Sequence, residues 1–192
     1  MNNIGTKPIE TPSLLLRRFQ ENDAKEMFEN YCSDEKMTRH LTWQPHPNIE
    51  TTESLLKMWL YKYDEAHCYR WAIVEKSTNS LIGSIDCVHV DIPRASCEIG
   101  YCIASNKWGK GYMSEALKAV IDYLFHEADF NRIMARYSTL NPASGRVMEK
   151  VGMQFEGVMR EAALDKEGQF IDMAQYAILK KDIIKNKGDD YE

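Results

Sequence analysis

Residues 98–113 read Glu-Ile-Gly-Tyr-Cys-Ile-Ala-Ser-Asn-Lys-Trp-Gly-Lys-Gly-Tyr-Met, and their order suits the binding of an anion. An apolar run ends near Ala104, a Gly-Lys-Gly loop follows, and a long helix begins at Gly111. The first turn of a helix leaves backbone N–H groups without partners. A Ser, Thr, Asp or Asn cap usually accepts them, but the residues here are Gly109, Lys110 and Gly111. The donors are then available to an external anion, which the helix dipole also favours. Lys107 and Lys110 add positive charge, whereas Glu115 in the first turn must point away. The loop is neither a Walker loop nor a dinucleotide Gly-x-Gly-x-x-Gly, because Ser114 stands where the third glycine would be. The plain alternative is a glycine-rich turn with no ligand.

Other elements must position that loop. Ser13–Phe19 reads as a strand. Asn22 and Asp23 offer a cap for a helix with Ala24, Met27, Phe28 and Tyr31 on one face. Pro45 and Pro47 make 41–48 a loop, and Glu50–Tyr63 is a second amphipathic helix. Tyr69–Lys76, Leu81–Val90 and Cys97–Ala104 are three strands joined by short turns, which predicts an antiparallel meander. The clearest helix runs from Gly111 to Phe125, with Met113, Ala116, Leu117, Val120, Ile121, Leu124 and Phe125 as its apolar stripe. A strand over 133–138 precedes Asn141-Pro142, which starts a short helix ending before Gly152. Strands over 153–160 and 170–179 complete the order β-α-α-β-β-β-α-β-α-β-β, a mixed α/β layer fold. Only the ends look loose, and 181–192 reads as a fraying charged tail.

The chain has 192 residues, 44% hydrophobic and 28% charged, which suits one globular domain and not a disordered chain. A net charge of −5 argues against non-specific nucleic-acid or anionic-membrane partners. No apolar run has the length of a membrane span, and the polar N-terminus lacks a signal-peptide core. Five cysteines without a Cys-x-x-Cys pair read as free thiols in a reducing cytoplasm. The five scattered histidines give no recognisable metal-ligand spacing.

A second segment, Asn141-Pro-Ala-Ser-Gly-Arg-Val-Met-Glu-Lys-Val-Gly-Met153, joins the first in matching a family. The chain resembles the GNAT superfamily of acyl-CoA N-acyltransferases, within it the RimJ/RimL-like branch that acetylates protein N-termini. The family's pyrophosphate loop has the pattern Gln/Arg-x-x-Gly-x-Gly/Ala. This chain has Asn106 at the first position and matches at Gly109 and Gly111. The Trp-Gly-Lys-Gly-Tyr wording, the following Ser-Glu-Ala, and Asn141, Ser144, Glu149, Lys150 and Gly152 are typical of the branch. The resemblance covers about residues 10–182 of one domain spanning 1–192. It implies a mixed central sheet of about seven strands with flanking helices, and acetyl-CoA lying between two splayed strands. The pantetheine would pair with the backbone of Tyr101, Cys102 and Ile103. The pyrophosphate would sit on the N–H groups of Trp108, Gly109, Lys110, Gly111, Tyr112 and Met113, with Lys107 nearby. Asn141 and Ser144 would lie near the thioester. No metal is implied.

The implied reaction is direct attack of an amine on the thioester carbonyl. A base must first take a proton from the ammonium. A backbone N–H near Cys102–Ile103 would hold the developing oxyanion, and a hydroxyl would protonate the departing thiolate. Many members carry a tyrosine for that last step where this chain has Met148. Ser144 is the expected substitute, unless it only helps satisfy the helix start. Asn141 reads equally as a plain N-cap. Glu98 and Glu161 are the candidate bases, either of which could be an ordinary solvated carboxylate. Asp86 and His89 are weaker candidates, and Asp172 is expected to make a structural or substrate-side hydrogen bond. Trp43 lies either at the acceptor site or packed under its loop. Cys102 reads as core filling, because no histidine is placed to activate it. The acceptor implied is the N-terminal Ala or Ser of a protein. A polyamine, amino acid or aminoglycoside is the alternative, and a non-catalytic acyl-CoA sensor a third. Monomer and homodimer both remain open.

Overall fold

The computed structural model describes residues 1–186. Eight strands form one sheet: β1 (Ile9–Glu10), β2 (Leu14–Arg17), β3 (Arg70–Glu75), β4 (Ser80–Asp91), β5 (Ser96–Ile103), β6 (Arg132–Ser138), β7 (Gln154–Leu164) and β8 (Phe170–Leu179). Their spatial order is β1-β2-β3-β4-β5-β6-β8-β7. Every pairing is antiparallel except β5 with β6. That parallel pair needs a long crossover, which contains α4 (Tyr112–His126). The expected meander is β3-β4-β5. The strand beyond the expected seven is β1, whose two residues are too few for an alternation to register.

Alternating side chains give the sheet two apolar faces. On one, the predicted stripe of α4 is buried against Trp71, Ile73, Ile99, Ile133 and Ala135. Each large side chain so buried contributes about 1.5–3 kcal/mol. The α5 helix (Pro142–Lys150) adds buried Met148 to this face. The other face carries α1 (Ala24–Met27) and α3 (Ile49–Lys62), with Met27, Tyr31 and Leu56 packed on Ala72 and Leu81. The first predicted helix is α1 followed by a wide π-type turn, Phe28–Cys32, and α2 (Glu35–Thr38) starts just beyond, capped by Asp34.

Both ends are better held than their composition suggests. The Asn2 N–H donates to the Ala128 carbonyl, and Trp71 Nε1 donates to the carbonyl of Lys7 at 2.7 Å. Lys180–Asn186 forms α6, where a loose tail was expected. The remaining residues of that tail, 187–192, lie outside the described residues.

Candidate active site

The parallel ladder between β5 and β6 stops early. Its last pair is Ile99 with Ala135, although β5 continues to Ile103 and β6 to Ser138. Beyond that point the two strands part and leave a cleft in mid-sheet. On its other side β5 stays paired to β4. Ala104 N–H donates to the Ile82 carbonyl, so the hydrogen-bonded pairs there are Ile82/Ala104, Ser84/Cys102 and Asp86/Gly100. Tyr101 and Ile103 therefore turn their backbone groups toward the cleft. Cys102 does not, which corrects its expected backbone contact with the pantetheine. Its carbonyl points at β4, where a Cβ added to Gly83 would lie 2.3 Å away. Its thiol meets Ser84 Oγ at 3.3 Å, and burial pushes its pKa up to about 11. Such a thiol stays protonated at neutral pH.

The loop after β5 holds two left-handed glycines, Gly109 at φ +75° and Gly111 at φ +83°. Other residue types are strained there. A Cβ at either would meet nothing within 4 Å, so the loop is an open cradle. Gly111 is the residue that caps α4, and among the described residues no side chain accepts from its first turn. Glu115 turns away as expected and accepts from the Ser13 N–H at 2.7 Å. Met113 is buried, so only its backbone faces the loop.

Lys107 does not offer its ammonium to an anion. It is paired at 2.5 Å with Glu75, a buried carboxylate at the end of β3. The same carboxylate accepts from Tyr112 Oη at 2.7 Å and from Thr78 Oγ1 at 2.6 Å. Hydrogen bonds from Lys107, Thr78 and Tyr112 hold its pKa at about 2. Glu75 thus clamps both ends of the glycine loop. Lys110 is exposed and makes no ion pair among the described residues. Trp108 is half exposed, with its indole N–H on the Ile103 carbonyl at 3.0 Å and the Lys36 ammonium over its ring.

Tyr101, Asn141 and Ser144 come together where α5 meets the cleft. Tyr101 Oη donates to the Ser144 carbonyl at 3.1 Å, and Asn141 Nδ2 donates to Ser144 Oγ at 3.1 Å. Asn141 therefore does not cap α5 with its side chain, since that amide is turned to Ser144. Burial pushes the Tyr101 hydroxyl well above its usual range.

The acid and base candidates are spread apart. Glu98 alternates with buried Cys97 and Ile99, so it faces the α1/α3 side of the sheet. Both its oxygens are held at 2.8 Å by the Arg136 guanidinium. Glu161 is exposed in β7, two strands from β6, at φ +50° in a bulge whose backbone N–H donates to Asp172. Asp172 thus makes a structural hydrogen bond. Asp86 pairs with Arg70 at 2.6 Å, and burial raises its pKa against that guanidinium's pull. His89 is exposed on β4, and Trp43 packs beside the α1/α3 core. Glu75 and Arg136 were not anticipated. Their one sequence signal was an acid and a base inside otherwise alternating strands.

The family model described as acetyltransferase (GNAT) domain matches residues 13–154. The chain belongs to the GNAT acetyltransferase family. With membership comes the reaction class, acetyl transfer from acetyl-CoA to an amine nitrogen. This GNAT chain is 33% identical over 172 residues to the N-acetyltransferase YoaA of Bacillus subtilis, covering 90% of this chain and 96% of that one. It is 25% identical to the [ribosomal protein uS5]-alanine N-acetyltransferase of Escherichia coli, over 94% of this chain and 95% of that one. A GNAT-family acetyltransferase structure from Bacillus anthracis superposes with a TM-score of 0.80 at 28% identity, covering 91% of this chain and 99% of that one. Among the described residues, no group of three or more His, Cys, Asp or Glu could hold a metal ion. No helix there is long and apolar enough to cross a membrane.

Proposed function

We propose that this acetyltransferase modifies the α-amino group of a polypeptide beginning with Ala or Ser, in the cytoplasm. The observation that carries this reading is a strip on the α1/α3 side of the sheet, bridged at one end where Gln44 Nε2 donates to the Lys166 carbonyl at 2.9 Å and open along β6 and β8. The helices there gather over β3 and β4. Beyond the cleft, Met134 and Met173 are half-buried while Arg136 and Glu156 are exposed. A strip crossing several strands suits an acceptor whose chain continues past its reacting amine. A polyamine or free amino acid would call for a closed pocket. The match to a uS5-alanine N-acetyltransferase supports the same acceptor class.

Acetyl-CoA supplies the acetyl group, activated as a thioester. The residues present fit its shape and charge. The glycine cradle and the uncapped start of α4 suit a pyrophosphate, with Lys110 as the available side-chain charge. The Tyr101 backbone can pair with an amide-bearing arm, while the Ile103 carbonyl is taken by Trp108 Nε1 and the Ile103 N–H is left as the donor for a developing oxyanion. Ser144 Oγ, oriented by Asn141, is the hydroxyl that can give a proton to a thiolate. It stands in for the tyrosine absent at Met148.

A thiol-release assay over Ala- and Ser-initiated peptides, polyamines, amino acids and aminoglycosides tests the reading. Turnover on the peptides is expected. Turnover on small amines alone would overturn it, and none on any amine would favour an acyl-CoA sensor.

A further inference from the structure

The geometry points to Asp86 as the group that takes the proton from the incoming amine. The inference rests on the acetyl-transfer reading above, not on which amine is the acceptor.

Position comes first. Asp86 on β4 lies opposite Gly100 on β5. Gly100 follows Ile99, the last β5 residue paired with β6, so it stands at the vertex of the cleft. Asp86 lies between Ile85 and Cys87, both packed toward α4, so its side chain is on the α1/α3 side where the acceptor strip runs. Gly100 itself adds no side chain there, and the Val88 methyl takes part of the space a Cβ would occupy. A Cβ built there would sit 3.9 Å from Asp86 Oδ1 and 2.8 Å from Val88 Cγ1. Val88 is the extra residue of a bulge in β4, and bulges often re-aim side chains beside active sites.

Bonding comes second. Arg70 spends both its contacts on one oxygen, Oδ2, at 2.6 and 3.2 Å. Among the described residues Oδ1 makes no hydrogen bond, and the side chain is 15% exposed. The carboxylate is anchored by one oxygen and free to accept at the other. Glu98, the nearest acid on this face of β5, has neither oxygen free. Arg70 is itself stacked at 4.5 Å over Trp59 of α3, which fixes the anchor.

The charged and titratable groups on the side of Asp86 are Arg70 of β3, Lys62 of α3, Cys68, and Cys102 and the Arg136-paired Glu98 of β5, while the adjacent Cys87 turns to the α4 side. The two cations favour its anion, and burial outweighs them. Its proton affinity is therefore raised toward the range a base needs. In the step, the ammonium gives one N–H proton to Oδ1, and its electron pair becomes the nucleophile. The carboxylic acid then returns that proton to water. A cavity of about 230 Å³ lined by Arg70, Cys87 and Val88, the neighbours of Asp86, lies beside it. The second amine proton passes to water as the amide forms and the C–S bond breaks, Ser144 Oγ protonates the departing thiolate, and water restores the serine hydroxyl, so one proton is released overall.

The test compares Asp86→Asn with wild type on whichever amine wild type acetylates. Asn keeps an oxygen for Arg70 and cannot take the proton. We expect kcat/KM for the amine to fall about 100-fold at pH 7. The Kd for acetyl-CoA should stay within about twofold. The residual rate should climb with pH as free amine accumulates, without the wild-type acid limb. Retention of kcat/KM within about threefold, an unchanged pH profile, or a parallel loss of acetyl-CoA affinity would overturn the assignment. If Asp86→Asn does not fold, the wild-type acid limb decides. It should lie above the ordinary carboxylate range and keep its midpoint in Glu98→Gln, and a midpoint that moves in Glu98→Gln would overturn it. Failure of the peptide reading looks different, because small amines are then turned over and the Asp86 comparison is made on them.

Discussion

Glu75 shows how one buried carboxylate can shape a proposed anion site it does not touch. It neutralises Lys107 and pins Tyr112, so the residues between them are left to backbone donors. Removing one member of a buried ion pair leaves the other charge uncompensated. Glu75→Gln should therefore lower stability by about 3 kcal/mol in denaturant unfolding. It should also raise the KM for acetyl-CoA more than it changes kcat. The folded-state pKa of about 2 lies below the unfolded value near 4.5. The Glu75 contribution is then complete above pH 4.5 and is lost as pH falls toward 2, and Glu75→Gln should lack that acid-dependent loss. Cys102 carries the opposite expectation. With its thiol pushed up to about 11 and its backbone in the β4 ladder, Cys102→Ala should keep kcat within a few-fold. Alkylating reagents at neutral pH should leave activity intact.

Among the elements, α5 positions Ser144 through a single close approach. Gly145 faces Tyr137 of β6, and a Cβ there would lie 2.6 Å from the phenol oxygen and 2.7 Å from Cζ. A rigid ring wedged against a strand cannot yield cheaply. Gly145→Ala should lose about 1–3 kcal/mol despite better helix propensity, read as a lower Tm, and should weaken the Tyr101–Ser144 contact that ties β5 to α5. The strands and long helices were legible beforehand because their periodicities are local. The stripe of α4 and the meander needed only residues a few positions apart. The π-type turn at Phe28–Cys32 was not legible, because a helical face reads alike whether its turns are tight or wide. The two-residue β1 is too short to carry a pattern.

Across the whole molecule, the strands and glycine loop that form the cleft were legible and the cleft's electrostatics were not. Gly109, Gly111, Asn141 and Ser144 announce themselves by type and spacing. The partners of Lys107, Glu98 and Asp86 are set by the sheet order. Glu75 is 32 residues from Lys107, and Arg136 is 38 residues from Glu98. No local pattern joins them until β3 lies beside β4 and β5 beside β6. The net charge of −5 therefore hides a local arrangement in which one lysine is neutralised and Lys110 stays open beside the cradle. We propose that an anionic acyl donor binds at the Gly109–Gly111 loop. Thermal unfolding with increasing acetyl-CoA tests it most directly, in wild type, Gly111→Asn and Gly111→Asp. Asn and Asp tolerate the left-handed backbone at Gly111 about equally, so they differ mainly in charge. We predict that saturating acetyl-CoA raises the wild-type Tm by several degrees. Gly111→Asn should keep part of that shift and Gly111→Asp should lose it. No shift in wild type, or an equal shift in Gly111→Asp, would rule out donor binding at this loop.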